Sequence, residues 1–150
     1  MPISVSIQRA YRGAAPSRNQ ILRWTRRALA GRRRDATLTV RIVDAEESAS
    51  LNETWRHRKG PTNVLSFPVD GLEDVAPTLL GDIVVCAPIV ELEAADQGKS
   101  AEAHWAHMIV HGTLHLLGFD HVDPGAAREM EALERSLLAD LGYPDPYEVA

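Results

Sequence analysis

The eleven residues HGTLHLLGFDH, His111 to His121, bring their three imidazoles together only if the chain runs as a helix and then turns back sharply. On a helix the i,i+4 spacing stacks His111 and His115 on one face, where two ring nitrogens can converge on one ion. Gly118 supplies a residue able to end the helix in the left-handed conformation, so that the returning chain carries His121 to the same point. Three neutral imidazoles leave a tetrahedral metal one open position for water, the coordination of a catalytic rather than a closed structural site. The competing reading is an amphipathic helix with incidental histidines. Three at this spacing around a hinge glycine favour the metal.

The rest of the chain must support that helix. At 150 residues with 45% hydrophobic but only 5% aromatic content, it fits one domain, residues 1–150, with a largely aliphatic core. No apolar run approaches the roughly 20 residues that span a bilayer, and the start of the chain lacks the pattern of a signal peptide, which predicts a cytoplasmic protein with no membrane partner. The single cysteine, Cys86, lies in the apolar run DIVVC and reads as a buried structural thiol, not a nucleophile. The net charge of -5 conceals nine arginines and one acid in residues 1–35, against seven basic residues and 20 acids in the remainder. A basic segment of this kind suits an RNA-facing patch or an ordinary solvated helix face, and the acidic remainder argues against indiscriminate coating of nucleic acid.

Periodicity places the elements. Ile3, Val5 and Ile7 alternate with polar residues, as do Leu38, Val40 and Ile42, and both stretches predict half-buried strands. Between them Ser17 and Gln20 have capping-box spacing, Ile21, Leu22, Thr25, Ala28 and Leu29 mark a buried face, and Gly31 is the stop, leaving Arg23, Arg26 and Arg27 on the wetter side. Asp44 and Glu47 repeat the signal for a helix from about Ala45 towards Trp55, and Gly60-Pro61 imposes a loop. The strands VLSFPV and GDIVVC follow, separated by a surface loop from Asp70 to Thr78. Pro88 opens a helix to about Gln97, Gly98 closes it, and Ser100 caps the histidine-bearing helix. The last helix runs from Asp123-Pro124 to near Leu141 before Gly142, with Leu133, Leu137 and Leu141 as its buried stripe, and the tail PDPYEVA is irregular. The fold class is α+β or mixed α/β: a small, roughly four-stranded mixed sheet with five or six helices, one a zincin-like metal helix.

The histidine spacing equals that of the extended zinc-protease motif H-E-x-x-H-x-x-G-x-x-H, but Gly112 stands where the glutamate would be. That glutamate is the general base of peptide hydrolysis, so its absence removes the main reason to predict a protease. Four segments, LNETWRHRKGPTNVLSFP (51–68), LGDIVVCAP (80–88), HWAHMIVHGTLHLLGFDH (104–121) and EMEALERSLLADLGYPDPY (129–147), together resemble the bacterial YbeY-type metal-dependent endoribonucleases. The resemblance implies cleavage of single-stranded RNA in ribosomal RNA maturation, including the 3′ end of 16S rRNA, and in quality control of the ribosome and its small subunit. It further implies that His111, His115 and His121 ligate one divalent metal, preferentially zinc, and that Arg56 is the basic residue of the active site. An arginine suits that role because its planar fork can grip phosphate oxygens and neutralise charge that grows during cleavage.

Other residues have two readings. Thr62, Asn63 and Ser66 shape a groove and bind RNA, or simply satisfy turn and edge backbone; Arg58 and Lys59 attract phosphate or are only solvated. Asp120 is an acceptor for a ligand imidazole or a turn cap, His107 is a support to the metal site or structural, His104 is expected to be exposed, and Trp105 is expected in the core, with stacking on a base as its other reading. Two alternatives to the nuclease stand beside it: a ribosome-associated RNA-binding factor with a structural metal that works through the arginine-rich helix, and, disfavoured by Gly112, a metallopeptidase. The general base is unassigned.

Overall fold

A computed structural model describes residues 3–148. In chain order it contains β1 (Ile3–Arg9), α1 (Arg18–Leu29), β2 (Ala36–Val43), α2 (Ala45–Arg56), β3 (Val64–Pro68), β4 (Leu79–Cys86), α3 (Ala87–Asp96), α4 (Ala101–Leu116) and α5 (Pro124–Leu141). The sheet is mixed and four-stranded, ordered β1-β2-β4-β3, so the expected α+β class is the one that forms. β1, β2 and β4 are parallel, with Val5 opposite Leu38 and Val40 opposite Ile83, while β3 is an antiparallel edge strand with Ser66 opposite Ile83.

The capping residues do what their positions predict. Ser17 and Gln20 form a reciprocal capping box on α1, and Asp44, Ser100 and Asp123 each accept a backbone N–H in the first turn of α2, α4 and α5. Each such cap stabilises its helix end by about 1 kcal/mol. The stop at the end of α5 is equally direct, with Gly142 at φ 92°.

β4 explains the continuous apolar run around Cys86. Its side chains alternate between two cores: Ile83 and Val85 join the main one with Leu38, Val40, Ile42, Trp24, Ile109 and Leu114, whereas Val84 and Cys86 pack on the other face with Val43 and Leu65. Cys86 is buried as expected, and burial pushes its thiol pKa up, away from nucleophilic use. On the main face, α4 is buried around most of its circumference, from Trp105 through Ile109 and Val110 to Leu114. Beyond its first turn, the residues of α4 that are not fully buried are His111 and His115.

Two details depart from the expected pattern. The buried face of α1 includes Trp24, fully enclosed with its Nε1 donating to Tyr143 Oη at 3.1 Å, while Leu22 is only half-buried. On α5 the buried stripe is Met130, Glu134, Leu137, Leu138 and Leu141, with Leu133 half-buried at its margin. The arginines of α1 are indeed exposed, but Arg23 donates to the Leu141 carbonyl and Arg27 pairs with Asp140, so two of them dock α1 on α5. Among the described residues no helix is long and apolar enough to cross a membrane.

Candidate active site

Along α4, His104, His107, His111 and His115 succeed one another at steps of three or four residues and form one line of edge-to-face rings. The two lower members face outward at the end of the helix. Gly118 then takes φ 101°, a conformation costly for any residue with a Cβ, and the chain returns His121 to them. Ring centroids are 4.7 Å apart for His111 and His115, 4.8 Å for His115 and His121, and 5.5 Å for His111 and His121. One ligand nitrogen from each lies within 4.8 Å of the others, and His115 Nε2 faces His121 Nδ1 at 2.9 Å. A tetrahedral zinc-type ion with bonds of about 2.0–2.1 Å would hold its nitrogens about 3.3 Å apart, a separation within the span that these three rings cover. Burial, with help from the neighbouring His111 and His121, lowers the His115 pKa to about 4, so its imidazole is neutral at pH 7, as a ligand must be.

Behind this cage stands a residue that sequence reasoning missed. Glu134 of α5 is fully buried, with Oε2 3.0 Å from His111 Nδ1 and Oε1 2.6 Å from His107 Nε2 and 2.5 Å from the Tyr147 hydroxyl. Burial alone would raise its pKa, but the hydrogen bonds and partial charges of His107 and His111 outweigh that and hold it at about 2. An ionised Glu134 can only accept, so His111 carries a proton on Nδ1, which leaves Nε2 as the nitrogen that a metal would take. This is how a carboxylate fixes the tautomer of a metal-ligating imidazole. His107, Glu134 and His111 are themselves close enough to suggest a second cation site. Their short mutual hydrogen bonds instead mark a donor–acceptor relay, which an ion would have to break.

The irregular tail takes part. Through residue 148 it is without regular structure, as expected, and its last two residues lie outside those described. Yet it places Tyr147 on Glu134, held by Arg135 over the ring at 5.1 Å and by Lys99 Nζ donating to the Pro146 carbonyl at 2.7 Å. Burial and the Glu134 carboxylate push the Tyr147 hydroxyl pKa up, which keeps it a donor.

Arg56 ends α2, and His57 after it takes the left-handed conformation at φ 58°. The exposed Arg56 side chain reaches the edge strand, with Nη2 donating to the Ser66 carbonyl at 3.3 Å. Ser66 in turn donates its hydroxyl to the Gly112 carbonyl at 3.1 Å, one residue from His111. These two bonds tie the guanidinium to the cage, close enough for its charge to contribute to the lowered His115 pKa. Gly112 is a glycine for a packing reason: a Cβ there would lie 2.8 Å from Ile83 Cγ2 and 3.2 Å from Ser66 Oγ. The position that holds the base in the protease motif is here pressed against the sheet.

The structure therefore brings together His111, His115, His121 and Arg56, the four residues singled out from the sequence. Of the residues with two readings, Ser66 joins the site, whereas Thr62 and Asn63 satisfy local structure: the Thr62 backbone exchanges hydrogen bonds with Ser48, and Asn63 bridges to Glu93 and its own strand. Asp120 caps a turn by accepting from the Val122 N–H, and the role of imidazole acceptor falls to Glu134. Trp105 is in the core as expected. The expectation of an exposed His104 is corrected, since it is 3% exposed and pairs through Nε2 with Glu93 at 2.8 Å. It was misplaced because α4 is buried on nearly all sides, which a single-face reading does not anticipate. Glu134 did leave a signal: Met130, Glu134, Leu137 and Leu141 share one helical face, so an apolar stripe contained a carboxylate in need of donors.

A single α+β domain with a three-histidine, metal-competent cage and an adjoining arginine defines a class of hydrolase-like site built on an inward helix. Comparison with known proteins narrows it. A family model described as Endoribonuclease YbeY matches residues 7–142. Proteins named Endoribonuclease YbeY from Stutzerimonas stutzeri and Pseudomonas fluorescens are 54% and 53% identical over 146 residues, covering 97% of this chain and 91% and 96% of theirs. A solution structure of a Thermotoga maritima protein shares the fold, with a TM-score of 0.59 at 24% identity over 96% of this chain and 99% of that one. The chain belongs to the endoribonuclease YbeY family.

Proposed function

We propose that this protein is a metal-dependent endoribonuclease that cuts single-stranded RNA, with His111, His115 and His121 holding one divalent ion, preferably zinc, and Arg56 gripping the scissile phosphate. The observation that supports this reading is the two-bond connection from the Arg56 guanidinium through Ser66 to the Gly112 carbonyl, which holds a cation of a kind that suits phosphate near the three imidazoles. When bound, such an ion supplies Lewis-acid chemistry towards a phosphoryl oxygen and water. The chain's own residues do the rest. Arg56 spends one Nη2 hydrogen on Ser66, leaving donors free for phosphate oxygens as charge grows on them. Glu134 keeps the proton of His111 on Nδ1, so that Nε2 stays available. A single strand fits this layout because its backbone reaches a side chain without unpairing.

The biological setting we infer from family membership is maturation of ribosomal RNA, including the 3′ end of 16S rRNA, and ribosome quality control at the small subunit, in the cytoplasm. Two observations weigh against the alternatives. Arg23 and Arg27 are spent on Leu141 and Asp140, which weakens the case for α1 as the principal RNA-binding surface. A glutamate at Gly112 has no room, which weakens the case for a peptidase.

The test is cleavage of a defined single-stranded oligoribonucleotide and of its duplex, before and after chelation and zinc restoration. Arg56→Ala should lower kcat/KM by about 10²–10³, a loss typical of removing a transition-state donor, and Arg56→Lys should recover only part of it. His115→Ala should lose both cleavage and stoichiometric zinc. Wild-type rates in either alanine variant would overturn the proposal.

A further inference from the structure

Next to Arg56, and sharing Ser66 with it, lies a groove of about 590 Å³ whose walls include Leu51, Trp55, Phe67, Pro68 and Asp82. Trp55 is 63% exposed, whereas Trp24 and Trp105 are 0% and 2% exposed. A large apolar ring left in water beside a catalytic arginine forgoes burial that the other two indoles obtain. The indole and the Phe67 ring meet in a T-shaped contact, with centroids 6.3 Å apart and planes at 72°, so the indole is propped at the rim of the edge strand with much of its surface open.

The charges select among occupants. Asp82 faces the groove with no hydrogen-bond or ion-pair partner among the described residues, and Glu47 is there too, neutralised by Arg41 at 2.6 Å. A phosphate in the groove would meet an uncompensated carboxylate. A neutral flat heterocycle with N–H donors meets a stacking face and an acceptor.

We propose that the Trp55–Phe67 groove is a nucleobase subsite: the base beside the phosphate gripped by Arg56 stacks on the Trp55 indole and offers an amino edge to Asp82. The assignment rests on the RNA-cleaving function proposed above, and adjacency supports it. Trp55 and Arg56 are consecutive, and the Ser66 that accepts from Arg56 also lines the groove. Stacking tolerates any base, whereas the free carboxylate favours bases carrying an exocyclic amine over uracil.

The experiment uses the full chain. With chelator present to block cleavage, oligoadenylate should quench tryptophan emission of the wild type, and Trp55→Phe should abolish the quench because the two remaining indoles are buried. With metal, Trp55→Ala should raise KM for single-stranded RNA roughly 5- to 100-fold, the range for one lost base stack, with a smaller effect on kcat. Trp55→Phe should stay near wild type in KM, and Asp82→Asn should narrow the preference for oligoadenylate over oligouridylate. An unchanged KM in Trp55→Ala, or a quench that survives Trp55→Phe, overturns the subsite. Cleavage that depends on His115 and Arg56 but ignores Trp55 sinks only the subsite, whereas cleavage indifferent to His115 and Arg56 sinks the functional reading itself.

Discussion

Replacing Glu134 with glutamine removes one charge without changing shape, and the consequences should appear in two places. The carboxylate accepts from His107, His111 and Tyr147 at 2.6, 3.0 and 2.5 Å. A glutamine offers one oxygen and one NH₂. If the NH₂ faces His111, Nδ1 must become the acceptor and the proton moves to Nε2, where it blocks a metal ligand. If the amide is reversed, the NH₂ faces His107 Nε2 and Tyr147, and the strain is transferred there. Zinc affinity should fall about 10- to 100-fold, as when an outer partner of a ligand histidine is lost. The fall in the Glu134 pKa from the ordinary 4.5 to about 2 measures how much the site prefers the anion. At about 1.4 kcal/mol per unit, the metal-free variant should lose stability on the order of 3 kcal/mol at pH 7. Competition with a zinc-chelating dye reads the first effect, and denaturant unfolding of the metal-free protein reads the second. Zinc affinity and unfolding midpoint both equal to wild type would refute the argument that Glu134 is an ionised acceptor for His111.

Two further outcomes follow from the same geometry. Metal-free protein should lose stability on acidification in two overlapping stages. His104 and His115 are held neutral by burial, with folded pKa values below the ordinary 6.5, so their contribution is complete above that pH and drains away as the unfolded chain takes up protons below it. Glu134, depressed to about 2, contributes fully above 4.5 and loses that contribution between there and about pH 2. Thermal melts across this range check both stages, and stability that rose from pH 6.5 to 4 would contradict the assignment. Gly112→Glu should not create a peptidase: it drives a Cβ to 2.8 Å from Ile83 and a charge towards the core, costing about 3 kcal/mol or more. A variant as stable as wild type that hydrolyses casein would show the packing argument to be wrong.

Much of this protein was determined locally. The caps at Ser17, Asp44, Ser100 and Asp123 and the stops at Gly118 and Gly142 act within one turn of chain, so residue type and spacing suffice to place them. The cage is legible for the same reason: His111 and His115 share a helix face, and a glycine turn three residues before His121 returns it. Arg56 needed more, since nothing local connects α2 with α4, and its place in the site was implied by resemblance to a family. What only the tertiary structure decided are groups whose character depends on the element opposite. His104 is buried because α3 supplies Glu93, Gly112 is small because Ile83 and Ser66 approach it, and Glu134 is an anion in the core because two histidines from α4 and a tyrosine from the tail donate to it. A sequence specifies which faces seek burial. Whether a polar group can follow them depends on partners up to 119 residues away, as Trp24 and Tyr143 are, and those distances close only when the chain folds.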